Sequence, residues 1–156
     1  MLVQISTKGN LMFSLTTEYA LRATVWLAEK QGLPQTTQQI ASATCVPLNY
    51  LSKVLQSLGK AGLVRALRGK HGGFELAKSP SSTSVLEIIN VVEPIQRIRT
   101  CPLGLKQHSQ SLCPLHKRLD HAMEIFEESF ANATLADLLS PYSQPSLCAS
   151  ISTKGI

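Results

Sequence analysis

Residues 63–77 read Leu-Val-Arg-Ala-Leu-Arg-Gly-Lys-His-Gly-Gly-Phe-Glu-Leu-Ala, two short apolar runs joined across a glycine-rich hexapeptide. Such a pattern predicts strands at 63–67 and 74–77 joined by a tight hairpin, because glycine supplies the positive φ angles that a short reversal needs. What precedes it narrows the fold further. Thr16 or Thr17 is placed to cap a helix running to about residue 30, with Tyr19, Ala20, Ala23, Trp26 and Leu27 at helical spacing. Gly32 and Pro34 end it, and Thr36 or Thr37 caps a short second helix over 38–44 that turns Ile40 and Ala41 inward. Val46-Pro47 makes a turn, with Cys45 expected in the core beside it. A third helix follows over 48–61, burying Leu51, Val54, Leu55 and Leu58, and Gly62 stops it. Three helices, a short turn between the second and third, and then a hairpin is the order of a winged helix-turn-helix.

The remainder is helical. Ser84 caps a helix through residue 92 and Pro94 closes it. Residues 97–114 are irregular and hold Cys101 and Cys113. A long amphipathic helix over 115–132 then carries an apolar stripe of Leu119, Ala122, Met123, Phe126 and Phe130, and Thr134 caps a last short helix over 135–139. The expected fold is therefore mainly α with a small β-hairpin wing: a winged helix-turn-helix plus a long C-terminal dimerisation helix. The expected organisation is a flexible leader (1–13), the DNA-binding domain (14–95), a cysteine-containing loop with the dimerisation helix (96–140) and a flexible tail (141–156). Met12 is an alternative start to Met1.

Composition agrees. Hydrophobic residues make up 44% of the 156, enough for a core, whereas aromatics are only 5%, so aliphatic side chains must build it. Charge is segregated. Residues 47–80 hold Lys53, Lys60, Arg65, Arg68, Lys70 and Lys78 against Glu75 alone, while 115–140 hold Lys117 and Arg118 against Asp120, Glu124, Glu127, Glu128 and Asp137. A basic segment followed by an acidic one implies separate tasks, the first suited to a polyanion. No apolar run approaches the ~18 residues of a membrane span, and the start lacks a secretory signal pattern, so a cytoplasmic location is expected.

In a winged helix-turn-helix the third helix enters the major groove. Its outward positions here are Asn49, Tyr50, Ser52, Lys53 and Gln56. Asn and Gln match adenine edges bidentately, whereas Ser, Tyr and Lys also hold phosphates. The hairpin tip carries Arg68, Lys70 and His71, with Arg68 placed for a minor-groove or phosphate contact. The stripe on the long helix either packs on its own domain or pairs with a second copy. Its length and acidic outer face favour pairing. A homodimer would set two recognition helices about one DNA turn apart (~34 Å) on a palindromic double-stranded operator.

Leu15-Thr16-Thr17-Glu18-Tyr19-Ala20-Leu21-Arg22-Ala23, Pro47-Leu48-Asn49-Tyr50-Leu51-Ser52-Lys53-Val54-Leu55, Gly62-Leu63-Val64 and Arg68-Gly69-Lys70-His71-Gly72-Gly73-Phe74 resemble the IscR/NsrR family over about residues 15–139. The resemblance implies a bacterial transcription regulator, expected to act as a repressor, with Asn49, Tyr50 and Ser52 at the base-reading end of the third helix and Arg68 in the wing. Several relatives sense iron–sulfur status, nitric oxide or redox state. Cluster-bearing members carry three cysteines before the dimer helix. Cys101 and Cys113 match the first and third, but the middle position falls on Gln107, beside His108. Histidine replaces cysteine on one iron of some clusters, so Cys101, Cys113, His116 and either Glu18 from the other subunit or His108 form the candidate set for an iron–sulfur, 2Fe-2S type, centre. The alternatives are a cluster-free regulator answering to a metabolite or partner protein, and another metal such as zinc. An enzyme is not expected: Cys113 and His116 would be its nucleophile and base, yet no orienting acid or phosphate-cradling motif accompanies them.

Overall fold

The computed structural model describes residues 13–102, 104 and 111–139. The leader up to Met12, the tail, Gln107 and His108 lie outside the described residues. Among the described residues six α-helices and one hairpin run in the order α1 (Leu15–Glu29), α2 (Thr37–Thr44), α3 (Leu48–Lys60), β1 (Val64–Leu67), β2 (Gly73–Leu76), α4 (Val85–Val92), α5 (Pro114–Ala131) and α6 (Leu135–Leu138), with one 3-10 turn at Pro80–Ser82.

Caps set most helix starts. The cap of α1 is Ser14, two residues before Thr16 and three before Thr17: its hydroxyl accepts from the Thr17 amide at 3.3 Å, and Thr17 is buried. α2, α4 and α6 open with reciprocal capping boxes, Thr36 with Gln39, Ser84 with Glu87 and Thr134 with Asp137. In each, the cap's oxygen takes an orphan helix amide, and the third helical side chain takes the cap's own amide. Cys45 departs from expectation. It ends α2 in the left-handed region at φ 54° and is exposed, so its thiol is not a core group; the residue serves as the C-cap that turns the chain into α3.

The core is aliphatic. Ala20, Ala23 and Leu27 of α1, Ile40 of α2, Leu51, Leu55 and Leu58 of α3, Ile88 of α4 and Leu135 of α6 are almost fully buried. Tyr19 and Trp26, expected inside, sit at its margin, while Thr17 and Thr24 are within. Their hydroxyls are satisfied: Thr24 Oγ1 donates to the Ala20 carbonyl at 2.9 Å and Thr17 Oγ1 to Glu93 at 2.7 Å. A buried hydroxyl with a partner costs little.

The hairpin pairs antiparallel, with Val64 opposite Leu76 and Leu67 opposite Gly73. It is tied to the body by Gln35, whose amide donates to the Phe74 carbonyl at 2.9 Å and whose carbonyl accepts from the Phe74 amide at 2.7 Å. Gly72 and Gly73 are required by space. A Cβ on Gly72 would run into the Leu67 carbonyl oxygen, and one on Gly73 would meet the Gln35 backbone at 2.6 Å.

α5 lies against α4 and has no buried residue. Leu115, Leu119, Met123 and Ile125 are exposed along it, Leu115 at 63%. Its C-terminal half meets the start of α1 through Phe13, whose ring lies 5.4 Å from Phe126 and 5.5 Å from Phe130. Among the described residues no helix is long and apolar enough to cross a membrane.

Candidate nucleic-acid interface

α3 divides cleanly. Leu51, Val54, Leu55 and Leu58 are buried, and Asn49, Tyr50, Ser52, Lys53 and Gln56 are exposed. The polar set is therefore the face that α3 turns away from the core. Ser52 Oγ donates to the Leu48 carbonyl at 3.0 Å, which commits its proton inside the helix and leaves the oxygen as an acceptor. The Tyr50 ring packs edge-on against Tyr19 of α1, centroids 6.0 Å apart, although Tyr50 remains 56% exposed. That contact restrains the ring at the start of the polar face of α3.

Arg68, Lys70 and His71 all sit exposed on the turn between the strands. Gly69 there has φ 108°, a region disfavoured for residues with a Cβ. The carboxylate of the hairpin, Glu75, lies opposite Arg65 and accepts from its Nε at 2.7 Å. Arg65 thereby neutralises Glu75 along the strands, so the tip keeps its positive field. A cationic tip on a well-anchored hairpin, whose first strand packs on a helix with a polar outer face, fits an anionic duplex.

The candidate metal residues are distributed differently. Cys113 is the N-cap of α5, half-buried, with its Sγ 3.2 Å from His116 Nδ1 one turn later. Cys101 is also half-buried. Glu18, in the first turn of α1, pairs with Arg22 Nε at 2.9 Å. Among the described residues no three of His, Cys, Asp and Glu gather closely enough to hold a metal ion. The fit to a cluster is thus partial: a thiol–imidazole pair is assembled, and no full donor set forms around it among the described residues of one chain.

Two polar constellations lie outside the sequence expectations. Arg97, between α4 and the cysteine segment, forks onto Asp120 with Nε and Nη2 both at 2.8 Å, and reaches Glu127 at 3.2 Å and Glu124 at 3.3 Å. The Ile98 amide also donates to Asp120 at 2.8 Å. Hydrogen bonds from Arg97 hold the Asp120 carboxyl down at about 2, and the reciprocal bonds from Asp120 push the guanidinium's own pKa above its usual value. Glu93, at the end of α4, accepts from Thr17 Oγ1 at 2.7 Å and from the Ser14 amide at 3.1 Å, which lowers its pKa. The spacing of Asp120, Glu124 and Glu127 on one helix face is a usable signal, but the sequence alone reads it as a solvated acidic face.

The family model described as "Iron-dependent Transcriptional regulator", Rrf2, matches residues 13–141. The chain belongs to the Rrf2 family. Membership makes it a DNA-binding transcriptional regulator and not an enzyme. A protein assigned as an HTH-type transcriptional regulator in Aquifex aeolicus (strain VF5) is 28% identical over 132 residues, covering 83% of this chain and 92% of the relative. Among solved structures, T. potens IscR is similar with a TM-score of 0.70 at 28% identity, over 83% of this chain and 86% of its own. CymR (YrzC), the global cysteine regulator of B. subtilis, gives 0.69 at 28% identity, over 86% of this chain and 99% of its own. The winged helix-turn-helix expected from the sequence is therefore the fold of this Rrf2 protein.

Proposed function

We propose that this Rrf2 protein binds a palindromic DNA operator as a homodimer, with α3 in the major groove and the hairpin tip on the flanking backbone or minor groove. The observation that carries the reading is the division of α3 into a buried aliphatic face and an exposed Asn49, Tyr50, Ser52, Lys53 and Gln56 face, together with Arg68, Lys70 and His71 exposed on the turn of a hairpin whose first strand packs on α3. The exposed Leu115, Leu119 and Met123 of α5 supply apolar surface for pairing with a second copy. Dimerisation would repeat the recognition unit with two-fold symmetry and repress by occupying promoter DNA.

The signal enters, on this reading, at the junction of the cysteine segment and α5. Cys113 and His116 are the donors already assembled, and with Cys101 they would supply three ligands to a 2Fe-2S centre, the fourth coming from Glu18 of a second copy or from His108. The group would contribute redox sensitivity; the chain's own part is to hold the thiol and imidazole together at the start of α5. A cluster-free regulator is the second reading, favoured by a mostly apolar cavity of about 540 Å³ between α4, residues 93–96 and α5, lined by Ile89, Met123 and Phe126 among others, with room for a metabolite.

Selection of a duplex from a random pool, followed by fluorescence anisotropy, tests the DNA reading. Arg68→Ala should weaken the selected duplex by about 1–3 kcal/mol if Arg68 reads a base, and should relax preference at one position per half-site. Unchanged affinity and preference would remove the wing from the interface. Iron and sulfide analysis of protein prepared without oxygen separates the two signal readings: stoichiometric iron and sulfide lost in Cys113→Ala supports the cluster, and their absence supports the cavity.

A further inference from the structure

We infer that residues 93–98 form a strut between the effector region and the DNA-binding unit, with Arg97 as its positioning residue on α5 and Glu93 as its grip on α1. The inference rests on the reading that signals arrive at the cysteine segment and leave through α3 and the wing.

The geometry is unusual for a connecting segment. At one end Glu93 holds the very start of α1, taking hydrogen bonds from the Ser14 amide and the Thr17 hydroxyl. Ser14 is the N-cap of that helix, so Glu93 secures the cap itself. Four residues on, Arg97 engages three carboxylates of α5, and the next amide, Ile98, joins Asp120. Arg97 is only 15% exposed and Asp120 17%. A two-toothed guanidinium–carboxylate contact fixes direction as well as distance, which a lone ammonium does not. The span between the anchors is short and contains Pro94, and the Asn90 side-chain oxygen accepts from the Ile95 amide at 3.2 Å. Proline removes backbone freedom where slack would otherwise absorb movement.

The anchors join the regions that a sensor must connect. Cys101 lies four residues beyond Arg97, and Cys113 opens the helix that carries Asp120 two turns later. α1 packs directly on α2 and α3. A displacement of the cysteine segment relative to α5 therefore pulls on Arg97, and a shift of the strut moves the start of α1 against the recognition helix. An ordinary linker would leave the two units independent; here the Arg97–Asp120 end is an ion pair partly shielded from water, and the Glu93 end, though its carboxylate is exposed, holds two directional hydrogen bonds, one of them to the buried Thr17.

Amide hydrogen exchange on the full chain tests this, comparing wild type with Arg97→Met, Arg97→Lys and Glu93→Gln. Methionine keeps an apolar stem but has no fork; lysine keeps the charge without it. In Arg97→Met, exchange at Ile98 should rise about tenfold or more, and exchange at Ser14 and Thr17 should rise with it, although neither touches Arg97. Arg97→Lys should recover only part of both effects. Glu93→Gln should release Ser14 and Thr17 while leaving Ile98 protected. Circular dichroism and a cooperative melt confirm that each variant is folded; should Arg97→Met fail to fold, Arg97→Lys carries the comparison. Release of Ile98 with Ser14 and Thr17 still protected at wild-type levels overturns the strut, since Arg97 would then hold only its own segment. If wild type selects no duplex, the functional reading fails, and the exchange result still decides the strut.

Discussion

Replacing Gly73 by alanine tests the idea that the wing is positioned by its tie to Gln35. The added Cβ would sit 2.6 Å from both the carbonyl carbon and oxygen of Gln35 and 3.0 Å from its nitrogen. All three are backbone atoms, so no side chain can rotate aside. Relief requires the hairpin and Gln35 to separate by several tenths of an ångström, which strains the two hydrogen bonds joining Gln35 and Phe74 at 2.9 and 2.7 Å. Overpacking of this kind costs about 1–3 kcal/mol, and weakening two backbone hydrogen bonds adds roughly 1 kcal/mol. The expected loss is about 2–4 kcal/mol, read from urea denaturation with an unchanged m-value. Gly69→Ala is the control. Nothing lies within 4 Å of its added Cβ, so only the φ of 108° opposes it, at a cost of roughly 1–2 kcal/mol. A Gly73→Ala loss no greater than that of Gly69→Ala would refute the claim that backbone contact with Gln35 sets the wing.

Other expectations follow from particular contacts. Leu55→Ala, at 0% exposure on the inner face of α3, should cost about 2–5 kcal/mol by denaturant titration. The Asp120 carboxyl, held at about 2 by Arg97, should stay ionised until strong acid. Because its folded-state pKa is depressed, its stabilising effect is complete above the ordinary aspartate range and is lost as pH falls toward about 2. In Arg97→Met an NMR titration should find it returned toward its ordinary value, and a carboxyl whose titration matched wild type would show that Arg97 is not the cause. Capping should matter at Ser84, whose hydroxyl accepts from the Glu87 amide at 3.1 Å; Ser84→Ala should lower stability by about 1 kcal/mol in a thermal melt.

Much of the architecture is legible in the sequence because it rests on local rules. The spacing of Leu51, Val54, Leu55 and Leu58 announces a one-sided helix, and the glycines of 68–73 announce a reversal; neither needs a distant partner to be understood. The polar face of α3 follows from that same periodicity. What stays hidden depends on tertiary contact. Thr17 reads as a candidate cap, and nothing local marks Thr24 as buried, until their hydroxyls find Glu93 and the Ala20 carbonyl. Cys45 looks like a small core residue until the turn between α2 and α3 requires a left-handed cap. Arg97 draws no attention in an irregular stretch, because its three carboxylates lie 23 to 30 residues away on another element. The cysteine segment is readable as a candidate donor set by residue type, yet spacing alone does not say that Cys113 and His116 meet while Glu18 turns to Arg22.

The most direct measurement is the salt dependence of binding to a selected duplex, wild type beside Arg68→Ala/Lys70→Ala. Wild-type affinity should fall steeply between about 50 and 200 mM salt, and the double variant should bind more weakly with a shallower slope, by roughly one unit for every phosphate the two side chains engage. A variant that matched wild type in both affinity and slope, or a wild-type chain that bound no duplex at the lowest salt, would contradict an interface built from α3 and the hairpin tip.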